Sequence, residues 1–171
     1  MTDPTPQFPT LNGKRTMRVE FSFVVPGEPV PKARARVSIR AGKVRTHTPA
    51  RTQNYEATVR LCGAAARPSG WPMRARYAVE ITARRGAARS DLDNIVKAAT
   101  DALHTVAWQN DSRVYAITAR MEDGCEKPGL EVRIVALPVR CKLKSCGGAE
   151  TFYPDDEGRC ETCAARARRN R

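Results

Sequence analysis

Apolar residues fall at two different periods along this chain. Val19, Phe21 and Phe23 alternate with Arg18, Glu20 and Ser22. That period of two predicts a half-buried strand, and Pro26-Gly27-Glu28-Pro29 stops it. Tyr55, Val59, Cys62 and Ala66 recur at helical spacing and predict a helix over 50–66, ended by Arg67-Pro68-Ser69-Gly70. Val79, Ile81 and Ala83 mark a second strand. From Ser90 the period lengthens again, with Leu92, Ile95, Val96, Ala99 and Leu103 on one helical face. Ser90 followed by Asp93 resembles a capping box, which would start the helix at Ser90. Trp108-Gln109-Asn110-Asp111-Ser112 reads as a turn, and Val114 to Ala119 as a third strand. After a turn at Lys127-Pro128-Gly129, Leu130, Val132 and Ile134 form a fourth strand, with Glu131 and Arg133 opposite, and Pro138 closes it. The order strand, helix, strand, helix, strand, strand predicts a mixed α/β, or α+β, domain with a mixed sheet and two main helices.

That domain covers residues 17–138. Residues 1–16 are polar and Pro-rich and predict a flexible arm. Residues 139–171 lack apolar periodicity, carry four cysteines and end in arginines, so they read as a short separate appendage. A chain of 171 residues suits one domain with such an addition.

Charge narrows the partners. Lys and Arg number 30 against 18 Asp and Glu, a net +12, and mean hydropathy is −0.52. A polyanion is expected, nucleic acid ahead of an anionic membrane surface. The 23 arginines against 7 lysines could partly reflect a GC-rich genome. Residues 141–171 hold seven basic and five acidic residues, which leaves 23 against 13, or +10, for residues 1–140. No run of about 18 apolar residues exists, which excludes a transmembrane helix. The first residues have no apolar signal core, so a cytoplasmic location is expected, with cysteines reduced or metal-bound. Lys32, Arg34, Arg36, Arg40, Lys43 and Arg45 lie in one stretch without an acid, with Gly42 suggesting a turn. The stretch is either a solvated loop or a loop that faces phosphates. A second basic loop runs from Arg84 to Arg89, just before Ser90.

Against this background the acids at one helix start stand out. Asp91 and Asp93 sit in its first turn, Lys97 follows Asp93 by four residues, and Asp111 lies in the turn after the helix. Helix capping accounts for one of the two first-turn aspartates. It accounts for neither Asp111 nor Lys97. The chemical reading is a Mg²⁺ site, since that ion takes carboxylate oxygens together with substrate phosphates.

These segments resemble the RusA family of Holliday junction resolvases over about Phe21 to Leu137. The resemblance rests on Val25-Pro26-Gly27 through Val30-Pro31-Lys32-Ala33-Arg34-Ala35-Arg36, on Tyr55-Glu56, on Asp91-Leu92-Asp93-Asn94-Ile95-Val96-Lys97 with Asp101-Ala102-Leu103, and on Trp108 to Val114. It implies a Mg²⁺-dependent endonuclease that acts as a homodimer on branched DNA, the four-way junction, and cuts it by paired symmetric nicks. It implies metal-binding roles for Asp91, Asp93 and Asp111 and an essential role for Lys97. It places Lys32, Arg34 and Arg36 in a DNA-contacting region, to which the charge pattern adds Arg40, Lys43, Arg45 and Arg89. Ala33 and Ala35 depart from the Gly and Pro that the family often has there. A bacterial or phage-infected cell would suit such a chain. Two rival readings stay open: the same chemistry on forks or flaps, and a non-enzymatic, zinc-containing DNA-binding regulator.

The appendage lies outside that resemblance. Cys141-x4-Cys146 and Cys160-x2-Cys163, thirteen residues apart, predict a four-cysteine zinc ribbon or knuckle. It has too few apolar residues for a core of its own, so a metal would have to fold it. It could reach DNA through Arg166, Arg168, Arg169 and Arg171, or bind a partner protein. Cys62, Cys125, His47 and His104 have no ligand-like neighbours in sequence. Trp108 could stack on a base or pack the turn that carries Asp111.

Overall fold

A computed structural model describes residues 19–34, 36–40, 43–143, 146–147, 150–151 and 160–169. The expected N-terminal arm, residues 1–16, lies outside the described residues.

Each long apolar alternation becomes a strand of one four-stranded sheet. β1 (Val19–Pro26), β4 (Arg76–Arg84), β5 (Val114–Glu122) and β6 (Gly129–Leu137) take the order β1-β6-β4-β5. β6 runs antiparallel to both β1 and β4, and β5 runs parallel to β4, so the sheet is mixed as expected. The parallel pair needs a crossover, supplied by helix α2 (Leu92–Leu103). Helix α1 (Ala50–Ala66) packs against β1 and α2.

Both helices lie on one face of the sheet. Phe21, Phe23 and Val25 of β1 join Val79 and Ile81 of β4, Val132 and Ile134 of β6, Val59 of α1, and Ile95, Ala99 and Leu103 of α2 in a single buried core. The helices approach closely at Gly63, where a Cβ would stand 2.8 Å from Leu103 Cδ2. The opposite face is charged. Arg133 bridges Glu20 and Glu80 at 2.8 and 3.2 Å, and Arg84 bridges Glu122 and Glu131 at 3.0 and 2.7 Å.

Three local expectations change. The basic stretch is not a plain loop: β2 (Arg36–Arg40) and β3 (Lys43–His47) pair antiparallel as a hairpin of their own, apart from the main sheet. Helix α2 begins at Leu92, not Ser90. Asp91 is its N-cap residue by position, with no side-chain capping bond, so the capping box does not form. The appendage has local structure too: β7 (Val139–Arg140) pairs with β8 (Glu150–Thr151), and Glu161–Arg169 form helix α3. No helix among the described residues is long and apolar enough to cross a membrane.

Candidate active site and metal centre

Asp91 and Asp93 emerge where β4 hands over to α2. Asp91 stays extended, at φ −79° and ψ 139°, and its carbonyl accepts the first helical bond from Ile95 N–H at 3.2 Å. Its carboxylate and that of Asp93 are exposed and have no hydrogen-bonding or ion-pair partner among the described residues. Two acids at a helix start that do no capping are poorly explained by the helix dipole alone.

The loop before them is held from both sides. The Glu28 carboxylate accepts from the backbone N–H groups of Gly86, at 3.0 Å, and Ala88, at 2.9 Å. Arg85 donates to the Ser90 carbonyl at 2.9 Å and pairs with Asp123. The Arg85 guanidinium in turn holds the Asp123 carboxyl below the usual carboxylate range. These contacts fix the approach to Asp91. An open pocket of about 680 Å³ lies here, lined by Lys32, Arg85, Arg89, Ser90, Asp91 and Asn94 among others.

Lys97 stands about a turn and a half into α2, 63% exposed, with its ammonium 3.5 Å from Asp101. The same Asp101 accepts from Lys32 at 2.9 Å, and Lys32 also reaches Glu56 of α1 at 2.6 Å. Arg34 and Arg89 are exposed. Arg36, Arg40, Lys43 and Arg45 sit on the backbone of the β2–β3 hairpin, and their side chains lie outside the described residues.

Asp111 is placed elsewhere. It opens a short 3₁₀ turn, Asp111–Arg113, ahead of β5. Its Oδ1 accepts from the indole N–H of Trp108 at 2.9 Å. Trp108 is fully buried, so it packs the Asp111 turn and cannot stack on a base. It ends a run of rings: Phe21 meets Trp71 edge-on at 4.7 Å, Trp71 stacks on Tyr77 at 5.8 Å, and Tyr77 lies 5.8 Å from Trp108. Trp71 also donates to the Ala107 carbonyl at 2.6 Å.

One protomer therefore does not gather the three aspartates. Asp91 and Asp93 lie at the C-terminal end of β4, and Asp111 lies at the start of the parallel β5, with the whole of α2 between them. Twelve helical residues span about 18 Å. Among the described residues the group able to hold a metal as it stands is Cys141, Cys146, Cys160 and Cys163, whose sulfurs all lie within 4.8 Å of one another. Cys141 and Cys160 are buried, and the Cys160 N–H points at Cys141 Sγ at 3.3 Å. Cys146 Sγ lies 3.4 Å from Cys160 Sγ, and the turn between Cys146 N–H and the Leu143 carbonyl, with Gly147 at φ +65°, brings it there. The Cys160 N–H, foremost, draws the Cys141 thiol down to about 7. The neighbouring Cys146, foremost, pushes Cys163 up to about 12. Four converging thiols of which one ionises near neutrality suit a soft divalent cation.

Several of these groups escape sequence reasoning. Glu28 and Arg85 have no motif signal of their own; they matter only because the fold sets them against the loop before α2, while Asp101 carried one in Asp101-Ala102-Leu103. Glu56 carried a signal, as part of Tyr55-Glu56.

The comparisons with known proteins agree with the geometry of the domain. The family described as "Endodeoxyribonuclease RusA" matches residues 26–135, from the end of β1 into β6. A Bacillus subtilis (strain 168) protein, "Uncharacterized protein YqaN", is 30% identical over 135 residues, covering 67% of this chain and 94% of that protein. The matched span holds the Glu28-braced loop, both helices and all three aspartates, and leaves the cysteine cluster outside, so the chain belongs to the RusA endodeoxyribonuclease family, with a four-cysteine appendage added to it.

Proposed function

We propose that the protein is a Mg²⁺-dependent endonuclease that resolves four-way DNA junctions by paired, symmetric nicks, working as a homodimer in the cytoplasm. One observation carries the proposal beyond family membership: Asp91 and Asp93 lie about 18 Å of helix away from Asp111. A Mg²⁺ ion binds oxygen at about 2.1 Å, so no single ion can take all three from one protomer. The donor set fits such an ion only when completed from a second chain.

The sheet supplies the means. β5 is an edge strand, and Tyr115 to Thr118 in its middle are all exposed, with Tyr115 at 57% and Ile117 at 47%. A nine-residue edge with exposed apolar side chains is a template for another strand. Two copies of β5 pairing antiparallel about a two-fold axis set the start of one strand beside the end of the other. That brings Asp111 of the partner subunit towards Asp91 and Asp93, and the reverse, giving two equivalent sites.

A bound Mg²⁺ would supply charge neutralisation on the phosphate and an acidified water. The chain's own residues do the rest. Asp91 and Asp93 present, from a braced helix start, carboxylates without hydrogen-bond partners among the described residues, with the Arg85 charge near Asp91. Trp108 holds the Asp111 carboxylate in one orientation. Lys97 can stabilise negative charge developing on phosphate oxygens. Arg34, Arg89 and the β2–β3 hairpin offer the phosphate contacts that fix the arms without reading bases. We assign Zn²⁺ to the four cysteines as a structural ion, because all four positions are sulfur and none is left for substrate.

The test is cutting of a labelled mobile junction with Mg²⁺ by wild type and Asp93→Asn. Wild type should nick opposite strands, and the variant should bind the junction but lose at least about 100-fold in rate, the order seen when one charge-stabilising group is removed. Cutting by Asp93→Asn at the wild-type rate removes the metal-ligand assignment. Equal cutting of forks or flaps would transfer the proposal to that substrate class.

A further inference from the structure

We infer that Lys32 is a positioning residue that locks helix α2 and its Lys97 in place, and is not a phosphate contact. The inference rests on the reading of Lys97 as part of the cutting site. Asn94, Lys97 and Asp101 are spaced i, i+3, i+7 and so share one face of α2. Lys32 grips that face at both ends. Its backbone N–H donates to the Asn94 carbonyl at 2.8 Å, and its ammonium reaches Asp101 Oδ2 at 2.9 Å. Two helical turns separate those anchors. The same ammonium reaches Glu56 Oε1 at 2.6 Å and so ties in α1.

Exposure separates the two lysines. The Lys32 side chain is 23% exposed, between carboxylates at 15% and 30%, whereas Lys97 is 63% exposed. A lysine with two carboxylate partners, about three-quarters withdrawn from water, would have to break both ion pairs to meet a phosphate. Burial works against its charge, but Glu56 and Asp101 outweigh that and raise its pKa. The four groups balance: two cations and two anions. Asp101 divides its oxygens, Oδ2 to Lys32 and Oδ1 to Lys97 at 3.5 Å. Without Lys32, Glu56 and Asp101 are left as adjacent acids, and Asp101 can draw Lys97 fully to itself. Without Asp101, Lys97 loses its tether. Lys32 thus sets the position of Lys97 through Asp101.

The experiment uses the full chain with Lys32→Met, Lys32→Arg, Asp101→Asn and the double variant Lys32→Met/Asp101→Asn. Junction affinity is measured in EDTA across a salt series, and cutting in Mg²⁺ at saturating junction. The clamp predicts that Lys32→Met and Asp101→Asn each slow cutting about 10- to 100-fold, the scale of a small misplacement of a reacting group. It predicts affinity within about twofold and an unchanged salt slope, because no phosphate contact is lost. The double variant should be no slower than the worse single one, since both break one unit. Lys32→Arg, which can still reach both carboxylates, should recover most of the rate. A salt slope flattened by about 1.8, the value of two phosphate contacts, one from each protomer, would overturn the inference, as would an unchanged rate in Lys32→Met. A wild-type protein that cuts no DNA sinks the nuclease reading instead. The clamp is then decided by melting temperature, where additive losses from Lys32→Met and Asp101→Asn count against it and non-additive losses support it.

Discussion

Mixing two dead variants should restore cutting. In the proposed homodimer, Asp93→Asn and Asp111→Asn would each leave both sites broken. If each site takes Asp93 from one protomer and Asp111 from the other, a heterodimer of the two variants concentrates both lesions in one site. The second site is then intact. Random reassortment makes half of the dimers heterodimers, each with one of two sites working, so about a quarter of wild-type sites return. The structural basis is distance: with α2 twelve residues long, about 18 Å separates the two ends, against the roughly 4 Å at most that two oxygens on one ion allow when each stands about 2.1 Å from it. The assay is junction cleavage after the two variants are mixed, exchanged at low concentration and reconcentrated. The products should be single nicks, not paired ones, because each active dimer cuts one strand. Sites built within one protomer give no recovery at any mixing ratio, and that result would refute the shared site. Ile117→Lys, placing a charge in the middle of the open edge of β5, should abolish the recovery by keeping protomers apart.

Two further outcomes follow from the packing and from the appendage. Gly63→Ala puts a methyl 2.8 Å from Leu103 Cδ2 and 3.4 Å from Phe23 Cζ. The helix-propensity gain of about 1 kcal/mol is outweighed by an overpacking cost of about 1–3 kcal/mol, so thermal unfolding should come roughly 2–4 °C earlier. For the cysteine cluster, metal analysis should find one zinc per chain, and Cys163→Ser or a strong chelator should release it. Residues 141–169 should then become the first site of tryptic cleavage while the domain's melting is little changed. Four freely titrating thiols in the untreated native protein would reject the site.

The sheet and both principal helices were legible because burial on one face writes itself into spacing: Phe21 and Phe23 at period two, Ile95, Ala99 and Leu103 at helical period. The hairpin was harder. Arg36-Val37-Ser38-Ile39-Arg40 does alternate, but the six basic residues of the stretch dominate the reading, and the hairpin stands apart from the main sheet. The helix start shifted from Ser90 to Leu92 because the loop is fixed by tertiary contacts, Glu28 to Gly86 and Ala88 and Arg85 to Ser90, which local capping rules do not include. The same limit applies to the site. Asp91, Asp93, Lys97 and Asp111 stand out by residue type and place, yet spacing along a chain says nothing of which end of a parallel crossover each one reaches. Lys32 looked like one more basic residue in a basic run, and only the approach of Glu56 and Asp101 distinguishes it.

The open edge of β5 also bears on how such an enzyme behaves when scarce. A site divided between two chains makes cutting second order in protein. On the proposed shared site, well below the dimer dissociation constant, halving the protein would quarter the active species, so a newly made or heavily diluted chain would be silent on DNA even with metal at hand. A four-way junction, which can bind both protomers at once, raises their effective concentration at the one place where two cuts are wanted.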